Sequence, residues 1–118
     1  MQRGLDSPEF ALTCVDRRGR AIVLRQTRWL GHVLDRHREL APQLSAIEAT
    51  LTNPELVTRD KRHSDRENYF RPNLLPPPLH HLYLKVVVEF ADDAAEPGIV
   101  ITAYPVPLVP NGEVEIWR

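Results

Sequence analysis

Trp29, His32 and Arg36 stand at i, i+3 and i+7, and His37 follows directly. On an α-helix this spacing puts an aromatic ring, an imidazole and a guanidinium on one face. Cleavage of RNA by attack of a 2′-hydroxyl on the adjacent phosphate needs such groups. A base takes the hydroxyl proton, an acid protonates the departing 5′-oxygen, and cations hold the crowded phosphate. Histidine titrates near neutrality and serves in either role. Arginine's planar fork matches phosphate oxygens two at a time. His32 and Arg36 are therefore catalytic candidates, and His37 is a candidate substrate contact. The plain alternative is that both histidines are ordinary interface residues of an amphipathic helix.

Later residues extend this set. Tyr69 and Arg71 share one side of an expected strand. Arginine is a phosphate ligand, and tyrosine stacks on a base or donates a proton. A half-buried rim tyrosine with a solvated arginine explains them equally well. Lys85 interrupts the apolar run Leu84–Val88 and must emerge somewhere polar, since unpaired burial is costly. It either reaches a site, snorkels to solvent, or pairs with Glu89 of the same parity. Thr102 and Tyr104 also share a face, where a hydroxyl can meet a phosphate, although threonine is simply a good strand former. The catalytic set is then His32, Arg36, Arg71, Lys85 and Thr102, with His37, Arg59, Tyr69 and Tyr104 contacting substrate. A less favoured third arrangement is a small-molecule pocket lined by Trp29, Tyr83 and Tyr104.

His80 and His81, taken with His32 and His37, raise a metal site. We set it aside. The i, i+5 spacing on the helix does not align two rings, and adjacent histidines in a Pro-rich loop are a weak signal. There is no Gly-rich phosphate loop and no serine nucleophile elbow, so no cofactor is expected.

The elements that must position these residues follow from patterning. Ala11–Val15 and Arg20–Leu24 flank Asp16-Arg17-Arg18-Gly19, the signature of a hairpin. Thr27 is placed to cap a helix running to about His37, with Trp29, Leu30, Val33 and Leu34 on its apolar side. Pro42 opens a second helix to Thr52, with Leu44, Ile47 and Leu51 on one stripe, and Asn53-Pro54 ends it. Strands are expected at Glu55–Arg59, Asn68–Arg71, Leu82–Phe90 and Ile99–Tyr104, with a short edge strand at Glu113–Trp117. Pro72 and Pro76-Pro77-Pro78 mark an extended connector. Strands joined by short turns pair as antiparallel neighbours. The expectation is an α+β domain: an N-terminal hairpin and two helices packed on one face of a mostly antiparallel sheet.

The chain has 118 residues, 42% apolar and 26% charged, enough for one domain with one core. No run approaches the length of a membrane span. Cys14 is the single cysteine, which excludes an internal disulfide. The N-terminus lacks an apolar signal region, which suggests a cytoplasmic protein. Residues 1–10, which include Ser7-Pro8-Glu9-Phe10, read as a leader or vector-derived segment, leaving residues 11–118 as the domain. The net charge of −1 hides an asymmetry. From Arg17 to Arg38 seven arginines face only Asp35, whereas from Glu89 to Arg118 six acids face one cation. Such a field concerns partners. It suits RNA at the basic end, or a non-catalytic module whose basic and acidic ends dock partners or pair between subunits of a homodimer.

Several short segments taken together resemble a known family. They are Trp29-xx-His32-xxxx-His37-xx-Leu40, Asn53-Pro54-xx-Val57-xx-Asp60, Tyr69-Phe70-Arg71, Leu84-Lys85-Val86-Val87-Val88 and Val100-Ile101-Thr102-Ala103-Tyr104. The pattern, over residues 12–105, is similar to the phage-type branch of the barnase–EndoU–colicin–RelE-like nucleases. That resemblance implies N-terminal helices on an antiparallel sheet and metal-independent RNA cleavage by a toxin or phage-borne effector, with an antitoxin or immunity protein as partner. By position, His32 resembles the helix histidine of such a site, Arg71 and Lys85 its sheet cations, and Thr102 its late hydroxyl. The slightly acidic total charge departs from the strongly basic toxins and leaves room for a binding-only member.

Overall fold

The computed structural model describes residues 9–33, 44–108 and 113–117, with the backbone alone for His32, Val33 and Trp117. The chain runs β1 (Phe10–Val15), β2 (Ala21–Arg25) and a short helix α1 (Gln26–Arg28) that widens into a π-type turn (Trp29–Val33). Then follow α2 (Leu44–Thr52), β3 (Leu56–Arg59), β4 (Arg66–Pro72), β5 (Tyr83–Glu89), β6 (Gly98–Val106) and β7 (Val114–Trp117). It is an α+β fold in which all seven strands form one mixed sheet, ordered β1-β2-β6-β5-β4-β3-β7.

Strands β3 to β6 form a continuous antiparallel meander, as their short connections require. The N-terminal hairpin does not stand apart from it. β2 lies parallel to β6, with Ile22 opposite Gly98 and Val23 opposite Ile99. Gly98 permits the neighbouring Phe90 side chain to lie close, because a Cβ there would come within 2.5 Å of its ring. β7 returns to pair with β3 rather than with its sequence neighbour β6.

Several boundaries differ from the sequence reading for identifiable reasons. Phe10 belongs to β1 opposite Arg25, and the Glu9 carbonyl accepts the Gln26 N–H at 2.9 Å, so the fold begins inside the segment set aside as leader. That backbone bond stands where a side-chain cap was expected. Arg25 occupies the cap position without a capping side chain, and Thr27 lies within α1. The π-type turn carries more residues per turn than an α-helix, so the i, i+3 spacing of Trp29 and His32 no longer has its α-helical meaning. Trp29 is buried, whereas Leu30, expected on the apolar side, is 55% exposed. Arg36 and His37 lie outside the described residues. Pro72, expected in the connector, closes β4 opposite Tyr83.

Cross-strand partners share a face of the sheet. One face carries Val57, Tyr69, Val86 and Ala103 in register, and these join Ile22, Leu24, Trp29 and the α2 residues Ala46, Ile47 and Leu51 in a single core. α2 packs over β1, β5 and β4. The other face carries Thr58, Asn68, Val87 and Thr102 in one row and Leu56, Phe70, Lys85 and Tyr104 in the next.

A charged cluster ties the hairpin turn to β4 across the core. Gly19 adopts φ of 81°, which closes the turn. Asp16, 5% exposed, accepts the backbone N–H groups of Arg18 and Arg20 at 3.0 and 2.9 Å. The Tyr69 hydroxyl donates to Asp16 Oδ2 at 2.8 Å and accepts from Arg18 and Arg20. Both guanidinium groups reach Glu67 Oε1, at 2.5 and 2.6 Å, and Arg20 stacks on Phe90 with 3.8 Å to the ring centroid. Arg17 donates to the Asn53 side chain at the end of α2.

Burial alone would raise the carboxyls of Asp16 and Glu67, but the arginines and hydrogen-bond donors around them outweigh it, and both sit below their ordinary values of 3.8 and 4.5. Burial, reinforced by Asp16, pushes the Tyr69 phenol above its ordinary 10.0. Groups depressed in the folded state stabilise it above their unfolded pKa, so stability should fall as acidification passes pH 4.5 and then 3.8. A raised phenol acts in the opposite sense, so stability should also fall at pH above 10.0. Urea titrations across pH check both arms. At neutral pH, Tyr69→Phe should cost about 1–2 kcal/mol and Glu67→Gln about 2 kcal/mol, without loss of the fold.

Candidate nucleic-acid interface

Among the described arginines of the Arg17–Arg38 stretch, four have partners within the molecule. Arg18 and Arg20 serve the cluster over the core, Arg17 holds Asn53, and Arg25 pairs with Glu9 at 3.2 Å. The charges of Arg18, Arg20 and Arg25 are thus met by Asp16, Glu67 and Glu9, acids that lie outside the Arg17–Arg38 window.

The expected catalytic set is divided between the two faces. Arg71 stands opposite Leu84, on the face of Tyr69, and donates to the Asn53 carbonyl at 2.9 Å. Lys85 stands opposite Phe70 and Tyr104, on the other face, in the row next to Thr102. A strand's alternation keeps Arg71 and Lys85 from meeting at one phosphate. Tyr69 is 1% exposed with its hydroxyl fully engaged, so it neither stacks on a base nor donates to one. Glu89 pairs with Arg66 at 3.6 Å rather than with Lys85. The backbone of His32 belongs to the π-type turn, which packs against β6. Trp29 lies in the core, and Tyr83 donates to Glu55 at 3.4 Å, which leaves Trp29, Tyr83 and Tyr104 no common pocket. His80 and His81 meet edge to face at 5.7 Å, and the described residues contain no cluster of metal-ligating side chains.

A different site takes shape on the second face, where the β3–β4 loop meets the start of β7. A pocket of about 420 Å³ is lined by Arg59, Asp60, Lys61, Arg62, Ser64, Glu113 and Val114. Local sequence explains its wall. Asp60 Oδ2 accepts the backbone N–H groups of Arg62 and His63 at 3.0 and 3.1 Å, which turns the chain and spreads Lys61 and Arg62 outward into solvent. Arg59 is also exposed, held by the Ser64 carbonyl at 3.2 Å.

The two carboxylates that line the pocket, Asp60 and Glu113, are anchored from the sheet behind it. Asn68, fully buried on β4, points its amide nitrogen at Asp60 Oδ1 and at both oxygens of Glu113, each at 3.2 Å. Thr58 donates to Glu113 Oε1 at 2.6 Å. Behind them lies Lys85, 9% exposed, whose ammonium stands 5.5 Å from the Tyr104 ring centroid and 5.9 Å from that of Phe70. Burial would raise the Asp60 carboxyl, but the two backbone N–H groups, Asn68 and the positive Lys85 prevail and lower it. Asp60 is thus an ionised acceptor at neutral pH. The arrangement combines three outward cations with two held carboxylates, which suits a ligand carrying both phosphate and hydroxyl groups.

Of these residues, the sequence reading singled out Arg59 and Lys85. The signal for the loop was present in the cation run Arg59 to Arg66 around a turn-forming aspartate. Glu113 was not legible, because only the pairing of β7 with β3 brings it there.

Protein-family models, curated proteins and solved structures offer no match to this chain.

Cys14 is the remaining group of nucleophilic type. Burial first, then the charges of Glu48 and Asp16, push its thiol up to about 11. Only the thiolate reacts, so at mildly alkaline pH iodoacetamide should modify native Cys14 far more slowly than the urea-unfolded chain, as mass spectrometry would register.

Proposed function

We propose that the chain is an RNA-binding module whose contact surface is the β3–β4 loop pocket. The observation that carries this reading is the set of solvent-facing Arg59, Lys61 and Arg62 around a 420 Å³ pocket floored by Asp60 and Glu113. The cations suit the phosphate backbone, and the carboxylates suit sugar hydroxyls. The resemblance to the barnase–EndoU–colicin–RelE-like nucleases supports RNA as the polyanion. It stands beside the geometry as a reading of residue pattern.

Binding rather than cleavage is the favoured form, because Arg71 lies on the opposite face from Lys85 and Thr102, which splits the described cations of the expected catalytic set. One observation favours a second reading. The turn bearing His32 packs on β6, the strand that carries Thr102 and Tyr104 beside Lys85. In that reading His32 transfers the proton and Lys85 compensates the phosphate charge, and the protein is a metal-independent endoribonuclease.

Fluorescence anisotropy with a labelled single-stranded RNA tests the binding claim. Lys61→Ala with Arg62→Ala should weaken binding and reduce the salt slope by about 0.7 for each cation removed. Unchanged affinity and slope would remove the pocket from consideration. Incubating the same RNA with protein in EDTA tests the second reading. Cleavage by the parent chain that His32→Ala abolishes would establish it, and intact RNA in both samples would leave binding alone.

A further inference from the structure

We infer that the cleft between α1 and β6 binds a bipolar small molecule, one with a carboxylate and an ammonium group at opposite ends of a short aliphatic chain. This cleft shares no residue with the β3–β4 loop pocket. It has a volume of about 510 Å³, and its lining includes Arg25, Arg28, Glu89, Ile99 and Ile101.

Register sets the order of these groups. Val23 of β2 stands opposite Ile99 of β6, and Ile99 stands opposite Glu89 of β5, so the three share the second face. Arg25 lies two residues beyond Val23 and keeps that face. α1 continues directly from it and carries Arg28. The cations therefore stand on the β2 side of Ile99, and the acid stands on its β5 side. Two strand spacings separate the ends, about 10 Å, which accommodates a chain of about five carbons between two charges.

Both ends keep bonding capacity. Arg28 forms no hydrogen bond or ion pair among the described residues. Arg25 meets Glu9 through Nη1, and a guanidinium has five N–H donors. Glu89 Oε2 lies 3.6 Å from Arg66 Nε, beyond hydrogen-bond length, and its side chain is 40% exposed. It accepts no hydrogen bond among the described residues. The half-buried Ile99 and Ile101 offer an aliphatic floor between the charged ends. A plain anion in this cleft meets Glu89 as a like charge, and a plain cation meets the arginines. A ligand with both charges answers each end, and its chain covers the isoleucines.

NMR chemical-shift titrations of the isotope-labelled chain with ε-aminocaproate, caproate, adipate and glycine test this. ε-Aminocaproate should shift the amides of Arg28, Gly31, Ile99 and Ile101. It should bind about fivefold more tightly than each of the other three, and Arg28→Ala should weaken it by about the same factor. Glu89→Gln should bring it down to the affinity of caproate. Glu89→Lys should reverse the preference, so that adipate binds more tightly than ε-aminocaproate. Lys61→Ala with Arg62→Ala should change none of these affinities. Equal binding of ε-aminocaproate and caproate by the parent chain would overturn the inference without altering the protein. A preference that survives Glu89→Lys, shifts confined to the β3–β4 loop, or no shift with any of the four would overturn it as well. None of these outcomes bears on RNA binding at the loop pocket.

Discussion

The contact on which the rest depends is the bridge from the hairpin turn to β4, made by Asp16, Arg18, Arg20, Glu67 and Tyr69. β2 and β4 are separated in the sheet by β6 and β5, so no backbone ladder joins them. The turn instead reaches across and fixes the hairpin relative to β4. Its chemistry explains why the charges tolerate burial. Each carboxylate meets a guanidinium, and the buried phenol both donates and accepts, so every strongly polar atom of the group is answered. Arginines close in sequence to one another are answered by Glu67, far along the chain.

The division of labour between the two faces follows from the same bridge. With Tyr69 drawn into the core by Asp16, strand alternation sends Asn68 and Phe70 to the opposite face, where they meet Thr58 and Lys85. The pocket floor is thus a consequence of register. A shift by one residue would place Asn68 under α2 and Tyr69 in the pocket, exchanging a satisfied network for two stranded polar groups. The polar floor and the ionic bridge are alternate teeth of one strand.

Much of this was legible in the residues. The strands at Leu82–Phe90 and Ile99–Tyr104, the hairpin around Gly19 and the helix ending at Asn53 were read within a few residues of the observed elements. Apolar alternation and turn chemistry are local signals, and they sufficed there. What eluded the sequence was non-local. Nothing near Ala21–Arg25 announces a parallel partner at Gly98, and nothing near Glu113 announces β3. The separation of two expected site cations has the same cause. Arg71 and Lys85 were grouped by residue type, but their faces are set by a cross-strand register that pairs Arg71 with Leu84 and Lys85 with Phe70. The π-type turn at Trp29–Val33 likewise departs from the periodicity that had aligned the helix candidates.

The parallel seam between β2 and β6 bears on how the molecule comes into being. Ile22 cannot find Gly98 until the whole intervening chain has left the ribosome, and the meander that supplies β6 must form first. Closing so long a loop costs entropy before any contact rewards it. During synthesis the hairpin can meet α2 first, and its seam with the sheet follows. Docking of the first two strands on the sheet therefore waits for β6, the last strand of the meander to be made.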